Sequence, residues 1–319
     1  MTAYIIRRLL MAVIIVILVT IMVFSAMRLL PGDPLEIFIG QSAGMGQMTE
    51  DVKEQLRHEY GLDKSPVIQY FDWIGGVLRG DLGRSITYRD SVGTLMAERF
   101  PITLHIGLVA FVLGNIIGIA MGIIAALRRG SWMDSLVTML SYIGISIPVF
   151  WLGFLLMYVF GFHLKWLPIS GYVSPFDDFW LSTKHIIMPV ICIMITGLAV
   201  IARQTRSSVL EVSQQDYVRT AWSKGLPERA VVAKHILKNS LIPVVTLLGI
   251  GIGIIFGGSV LVEQVFAIPG IGRLLVTSVF QQDYVVVQSG VLVISFIVIM
   301  SNLIVDISYA WLDPRIRYG

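Results

Sequence analysis

Residues 9–27 run for 19 positions without a charged side chain, and no other feature restricts the fold as much. As a helix at 1.5 Å per residue the run is about 29 Å long, close to the ~30 Å hydrocarbon thickness of a bilayer. Lipid offers no water to backbone N–H and C=O groups, so a run of this kind crosses as a helix that satisfies them internally. Further apolar runs lie at 102–127, 135–160, 186–202, 244–262 and 285–311, which makes six expected spans. The fourth is the shortest and carries Pro189; it either tilts little or runs on into the polar chain that follows. Charged residues are 14% of the chain, against roughly 25% in soluble domains, and the mean hydropathy is +0.79. The expectation is an all-α integral membrane protein.

Short basic connections set its orientation. Arg7-Arg8 and Arg128-Arg129 belong on the cytoplasmic side, whereas long loops count weakly. Both termini and the polar segment 203–242 are therefore expected inside, and 31–101 outside. The first run exceeds the 7–15 apolar residues of a secretory signal, so it reads as an anchored span. The expected organisation is an N-terminal span (1–30), an extracytoplasmic helical loop domain (31–101), a five-span core (102–312) containing the inner loop 203–242, and a cytoplasmic tail (313–319).

Within the outer segment, Thr49 is placed to cap a helix over 50–60 that ends at Gly61. Glu50 and Asp51 lie in its first turn, where the helix dipole favours acids. A second helix follows Pro66, with Val67, Tyr70, Phe71, Ile74 and Leu78 on one side. A glycine-rich turn then holds Gly80, Asp81, Gly83 and Arg84. This segment is either a cap over the bundle or a dock for a soluble outer partner. Gly114, Gly118 and Gly122 recur every four residues, a spacing that lets helices approach closely in lipid. The fifth run carries Gly249, Gly251, Gly253, Gly257 and Gly258; tight static packing competes there with a gate. Pro269 and Gly270 break the chain after it, and Arg273 and Asp283 flank a further short helix.

Motifs for catalysis are missing. There is no G-x-x-x-x-G-K-[ST] loop, no H-E-x-x-H and no G-x-S-x-G, and the five histidines are scattered without metal-ligand spacing. Cys192 is alone and reads as a small core hydrophobe. Asp306 is the one acid in the last span, and a hydrogen-bonded structural role competes with proton relay. No enzyme activity, no metal and no nucleic-acid partner are expected of this chain; membrane lipid is.

The polar segment is far longer than a helix pair needs for its turn. It reads as two short helices broken at Gly225-Leu226-Pro227, with Gly225 capping the first and Pro227 opening the second. Such a pair either lies along the inner membrane surface or projects into a cytoplasmic protein.

Its residues carry a resemblance. Tyr217-Val218-Arg219-Thr220-Ala221-x3-Gly225, then Lys234-His235-x-Leu237-x-Asn239-x-Leu241-x-Pro243, resembles the cytoplasmic loop signature of binding-protein-dependent ABC transporter permeases. Within them it is most similar to the dipeptide/oligopeptide/nickel subfamily, first-permease type. Arg219 and Thr220 stand where the general signature has Glu and Ala, and Pro243 lies 18 residues beyond Gly225; both departures look like the subfamily's own form. Tyr4-Ile5-Ile6-Arg7-Arg8, Leu30-Pro31-Gly32-Asp33-Pro34, Tyr60-Gly61-Leu62-Asp63, the stretch from Leu78 to Ser85, the stretch from Val262 to Gly272, and Leu312-Asp313-Pro314-Arg315 resemble other stretches of the family in the same order.

The resemblance implies a permease with six transmembrane helices, an outer helical loop domain and a cytoplasmic coupling-helix loop. It implies a second homologous permease subunit, two ABC ATPase subunits that bind ATP and Mg, and an extracytoplasmic solute-binding protein, working by alternating access. This chain would hold no cofactor. Tyr217, Arg219, Thr220, Ala221, Lys224, Gly225, Arg229 and His235 would form the ATPase-coupling loop. There Ala221 is small enough to seat its helix in a groove, Gly225 makes the turn, and Arg219, Lys224 and Arg229 face acids. Asn115, Ser141, Tyr142, Ser146 and Ser259 would line the pore, and Gly80, Asp81 and Arg84 would meet the binding protein. These mild hydrogen-bonding groups suit di- and oligopeptides, and equally nickel chelates, glutathione or short saccharides. A stand-alone secondary transporter would carry internal repeats and ionisable groups at mid-membrane, and the sequence has neither.

Overall fold

The computed structural model describes residues 2–29, 35, 50–251, 255 and 259–312, with side chains for all of these but 2–5, 250 and 304–312. Residues 30–34, Thr49, Gly253, Gly257, Gly258, the tail from Asp313 and the side chain of Asp306 thus lie outside what is described. The described chain is helical, with no strand: α1 (Thr2–Leu29), α2 (Glu50–Glu59), α3 (Pro66–Leu78), α4 (Val92–Leu127), α5 (Trp132–Ser146), α6 (Val149–Leu156), α7 (Phe179–Ser213), α8 (Asp216–Ser223), α9 (Glu228–Ser240), α10 (Ile242–Gly251), α11 (Ser259–Val265), α12 (Ile271–Phe280) and α13 (Tyr284–Leu312). Of these, α1, α4, α7 and α13 are each long and apolar enough to cross a bilayer. Counting two bent pairs, α5 with α6 and α9 with α10, brings the number to six.

The third expected span, 135–160, is corrected by the structure. It is two helices meeting at 105° rather than one rod. Pro148 accounts for the break, since it has no N–H and forces the residue before it out of the helical region. Ile147 is accordingly extended (φ −76°, ψ 125°), and Pro148 caps α6. α6 then widens into a π-helical stretch, Met157–His163. The fourth span takes the second of its two expected forms: it runs on past Ala202 into the polar segment, to Ser213, as one 35-residue helix. At about 52 Å it outreaches the bilayer. No glycine or proline interrupts the polar residues 203–213, so nothing stops the helix there. α4 likewise begins ten residues before the expected start, capped by Ser91, whose Oγ accepts the Thr94 N–H at 3.1 Å.

The chain packs as two compact units, residues 1–102 with 269–319, and 103–268. In the first, α3 lies against α1 and α13. Trp73 Nε1 donates to Ser289 Oγ (3.0 Å), whose hydroxyl donates to the Leu82 carbonyl (2.8 Å). Arg28 sits between the Phe24 and Tyr284 rings, 4.4 and 4.7 Å from their centres, and donates to Gln69. Val92, Leu95 and Met96 of α4 join Ile271 and Leu274 of α12 and Val286 of α13 in a buried cluster.

In the second unit the α4 glycines form a seam with α7. A Cβ on Gly114 would lie 3.0 Å from Met194 Cβ, one on Gly118 2.8 Å from the Leu198 carbonyl oxygen, and one on Gly122 2.5 Å from that of Ala202. This is the close approach the spacing foretells, and it is tight packing along about two turns.

Candidate functional site

The loop after α7 is built on an apolar platform. Val218 and Ala221 lie one helical turn apart on α8 and are buried against Ala126, Val209, Val231 and Ile236. The tie between α8 and α9 is polar. Asn239 Nδ2 donates to the Tyr217 hydroxyl at 3.0 Å and to the His235 carbonyl at 3.1 Å, and the Tyr217 hydroxyl reaches the same carbonyl at 3.4 Å. That carbonyl belongs to a π-helical stretch, Val231–Leu237. Wide turns of this type occur as single bulges, frequently at functional sites.

Gly225 ends the first helix with φ +72°, and a Cβ there would meet nothing within 4 Å. The glycine serves backbone conformation, not clearance: an L-residue would cost about 1–2 kcal/mol in this region. Pro227 (φ −65°) caps the second helix, as its position in the sequence foretells.

The sequence-selected residues separate into two sets. Arg219, Thr220, Lys224, Gly225 and Arg229 are exposed, as is Tyr217, with Trp222 and Leu226 among them. His235 is half-buried and gives its carbonyl to the tie. Ala221, at 4% exposure, faces the chain's own core, so its small size serves the α8–platform contact. The nearest carboxylate to Arg219 is Asp216 at 3.7 Å, with both side chains largely in solvent. Exposed pairs of that kind contribute little. The sequence reading passed over Val218 and the Tyr217–Asn239 tie. Val218 and Ala221 at three-residue spacing were the available signal for a buried face.

One ion pair at the same end was also missed. Arg206 of α7 grips Asp134 of α5 through both carboxylate oxygens, at 2.6 and 2.9 Å, and the Gly130 N–H donates to Asp134 at 3.0 Å. Asp134 is only 6% exposed, so this is a partner-bound buried carboxylate holding α5 to α7.

The expected pore-lining residues do not share one surface. Asn115 lines a cavity of about 350 Å³ with Gly107, Phe111, Met194, Thr196 and Leu247. Its walls are chiefly apolar, and the Asn115 amide donates to the Phe111 carbonyl at 2.7 Å. Ser141 and Tyr142 line a separate, smaller cavity of about 80 Å³. Ser146 is exposed, and Ser259 is fully buried.

In the glycine-rich turn, Gly80, Asp81 and Arg84 are all exposed. Asp81 accepts the Gly83 N–H at 2.8 Å, and Arg84 donates to the Arg89 carbonyl at 3.0 and 3.2 Å. Both side chains shape the turn they sit in. Beneath it, buried Asp283 accepts from Ser85 Oγ (2.5 Å) and the Thr87 N–H (3.1 Å). Earlier in the same segment the His58 ring bonds the Asp63 carboxylate at 2.7 Å, which lowers that carboxyl's pKa.

Residues 118–318 match the family described as the binding-protein-dependent transport system inner membrane component, and residues 1–107 match its N-terminal counterpart. The chain belongs to this family. Among its relatives is the di/tripeptide transport system permease DppB of Pseudomonas aeruginosa, 40% identical over 94% of both chains. Another is the oligopeptide transport system permease AppB of Bacillus subtilis, 39% identical over the full length of both. Family and apolar helices together make this a multi-pass membrane protein. Within that frame α8, Gly225 and the start of α9 are the loop whose signature carried the resemblance.

Proposed function

We propose that the chain is the pore-forming permease subunit of an ATP-driven importer of di- and oligopeptides. In this reading it pairs with a second permease, takes its driving force from two ATPase subunits that carry ATP and Mg, and receives peptide from an external binding protein. Both termini and the α8–α9 loop face the cytoplasm, in keeping with Arg7-Arg8 and Arg128-Arg129. Relatives named for peptide transport along the whole chain support the substrate class. The apolar cavity beside Asn115 suits cargo recognised elsewhere, since it presents few polar groups to choose among side chains.

One observation carries the coupling role. Arg219, Trp222, Lys224, Leu226 and Arg229 stand exposed on a loop whose inner face is locked to the platform. Aromatic and arginine side chains on a rigid support are the residue types that dominate protein interfaces. α8 is packed onto α7 and α9 through Val218 and Ala221, so a push on α8 would be passed to the helices around the cavity. ATP drives the cycle only as far as it favours one pore state over the other.

The test is Gly225→Phe in the assembled transporter reconstituted in proteoliposomes. The expected result is ATP hydrolysis without ATP-driven uptake of a labelled dipeptide, the subunit remaining membrane-inserted. Uptake at the wild-type rate contradicts the coupling role. Wild-type vesicles that hydrolyse ATP with binding protein present but accumulate no peptide contradict the substrate class.

A further inference from the structure

The small cavity between α5 and α7 has a charge imbalance that the transport reading does not use. It is about 80 Å³, room for two or three waters' share of volume and far below the size of a drug-like pocket. Two guanidiniums line it, Arg203 and Arg206, with Thr138, Ser141 and Tyr142. Arg206 is oriented by the two hydrogen bonds it donates to Asp134 from Nε and Nη2, which leaves Nη1 outside that pair. Arg203 is exposed and has no hydrogen bond or ion pair among the described residues. Asp134 balances one of the two cations, so the cavity keeps one net positive charge.

We propose that this cavity binds the phosphate of an anionic lipid headgroup. Three features select a lipid. The cavity opens on the inward side of the Asp134–Arg206 pair: its α5 lining runs from Val137 to Ile145, beginning between one and two turns into the helix from the basic turn Arg128-Arg129, which the positive-inside pattern gives to the cytoplasmic leaflet. Trp132, exposed in the first turn of α5, is the residue type that settles at headgroup level. Met139, Leu140 and Ile143 form an exposed apolar strip on α5 beside the cavity residues Thr138, Ser141 and Tyr142, so a bound phosphate would have acyl chains alongside it. Basic pockets between spans on the cytoplasmic side are suited to such headgroups, with roughly fivefold in affinity for each basic residue near the surface. A lipid held there would bridge α5 and α7 just above the Asp134–Arg206 pair.

Native mass spectrometry of the full-length chain released from detergent, offered phosphatidylglycerol and phosphatidylcholine with identical acyl chains, tests this. Wild-type protein should retain phosphatidylglycerol about fivefold better. Arg203→Gln should bring the two lipids level, Arg203→Lys should keep most of the preference, and Tyr142→Phe should weaken it in part. Arg203 is solvent-exposed, and an unchanged melting temperature in Arg203→Gln confirms that the fold is intact. Equal retention of the two lipids by the wild type, or a preference that survives Arg203→Gln, overturns the proposal. Complete displacement of phosphatidylglycerol by excess inorganic phosphate overturns the lipid assignment in favour of a soluble anion.

Discussion

Two polar segments leave the apolar helices, and they treat their side chains in opposite ways. In the segment around residues 60–91, the side chains turn back on the chain. Lys64 pairs with Asp72, Gln69 with Arg28, Asp81 and Arg84 hold their own turn, and Ser85 and Thr87 close on Asp283. In the loop around 216–229, the inward side chains are small and apolar while Arg219, Lys224 and Arg229 stand in solvent. The first arrangement makes a cap that stabilises α1, α3 and α13 as a group. The second leaves a cationic, aromatic surface in which Arg219 has only the solvent-exposed Asp216 beside it among the described residues.

The comparison can be broken or sharpened by substitution. The largest effect is expected in the seam beneath the inner platform. Gly122→Leu would drive a side chain into the Ala202 carbonyl and Thr205, and should cost about 3 kcal/mol. It should be seen as loss of a monodisperse peak in size-exclusion chromatography. Next is the cap. Asp283→Ala leaves the Ser85 hydroxyl and Thr87 N–H without their acceptor in a buried site, at about 2 kcal/mol. Hydrogen exchange should quicken across 81–92 and stay unchanged in 214–240. Tyr217→Phe removes the hydroxyl shared with Asn239, at about 1 kcal/mol, with faster exchange confined to 214–240. The smallest effect is Arg219→Ala, within about 0.5 kcal/mol of wild type by thermal melting, because its side chain is 73% exposed and its one carboxylate neighbour is in solvent. A large loss of stability in this last variant would make the loop a cap too.

Much of this was legible in the residues. The four-residue glycine spacing foretold a close helix approach, because only a missing Cβ permits it, but not that α7 is the partner. Gly61, Pro66, Gly225 and Pro227 marked helix ends through backbone conformations that are local properties of the chain. What hydropathy hid was continuity. Whether the fourth apolar run ended its helix was left open between two readings, because composition changes at Ala202 and hydrogen bonding does not. The third run was read as one span because it stays apolar through Pro148, where the backbone breaks. The site was legible only by outline. Spacing located the loop, but which face of α8 turns inward depends on Val209, Val231 and Ile236, which neighbour it only after folding. The Asp134–Arg206 pair joins residues 72 positions apart, beyond any local pattern.

In the proposed function the exposed cations Arg219, Lys224 and Arg229 serve as an ATPase-docking face and do not serve the fold. Co-purification of the ATPase subunits on a tagged chain carrying Arg219→Glu, Lys224→Glu and Arg229→Glu tests it most directly. Loss of the ATPase with an unchanged melting temperature is the predicted result. Retention of stoichiometric ATPase by the same variant would contradict it.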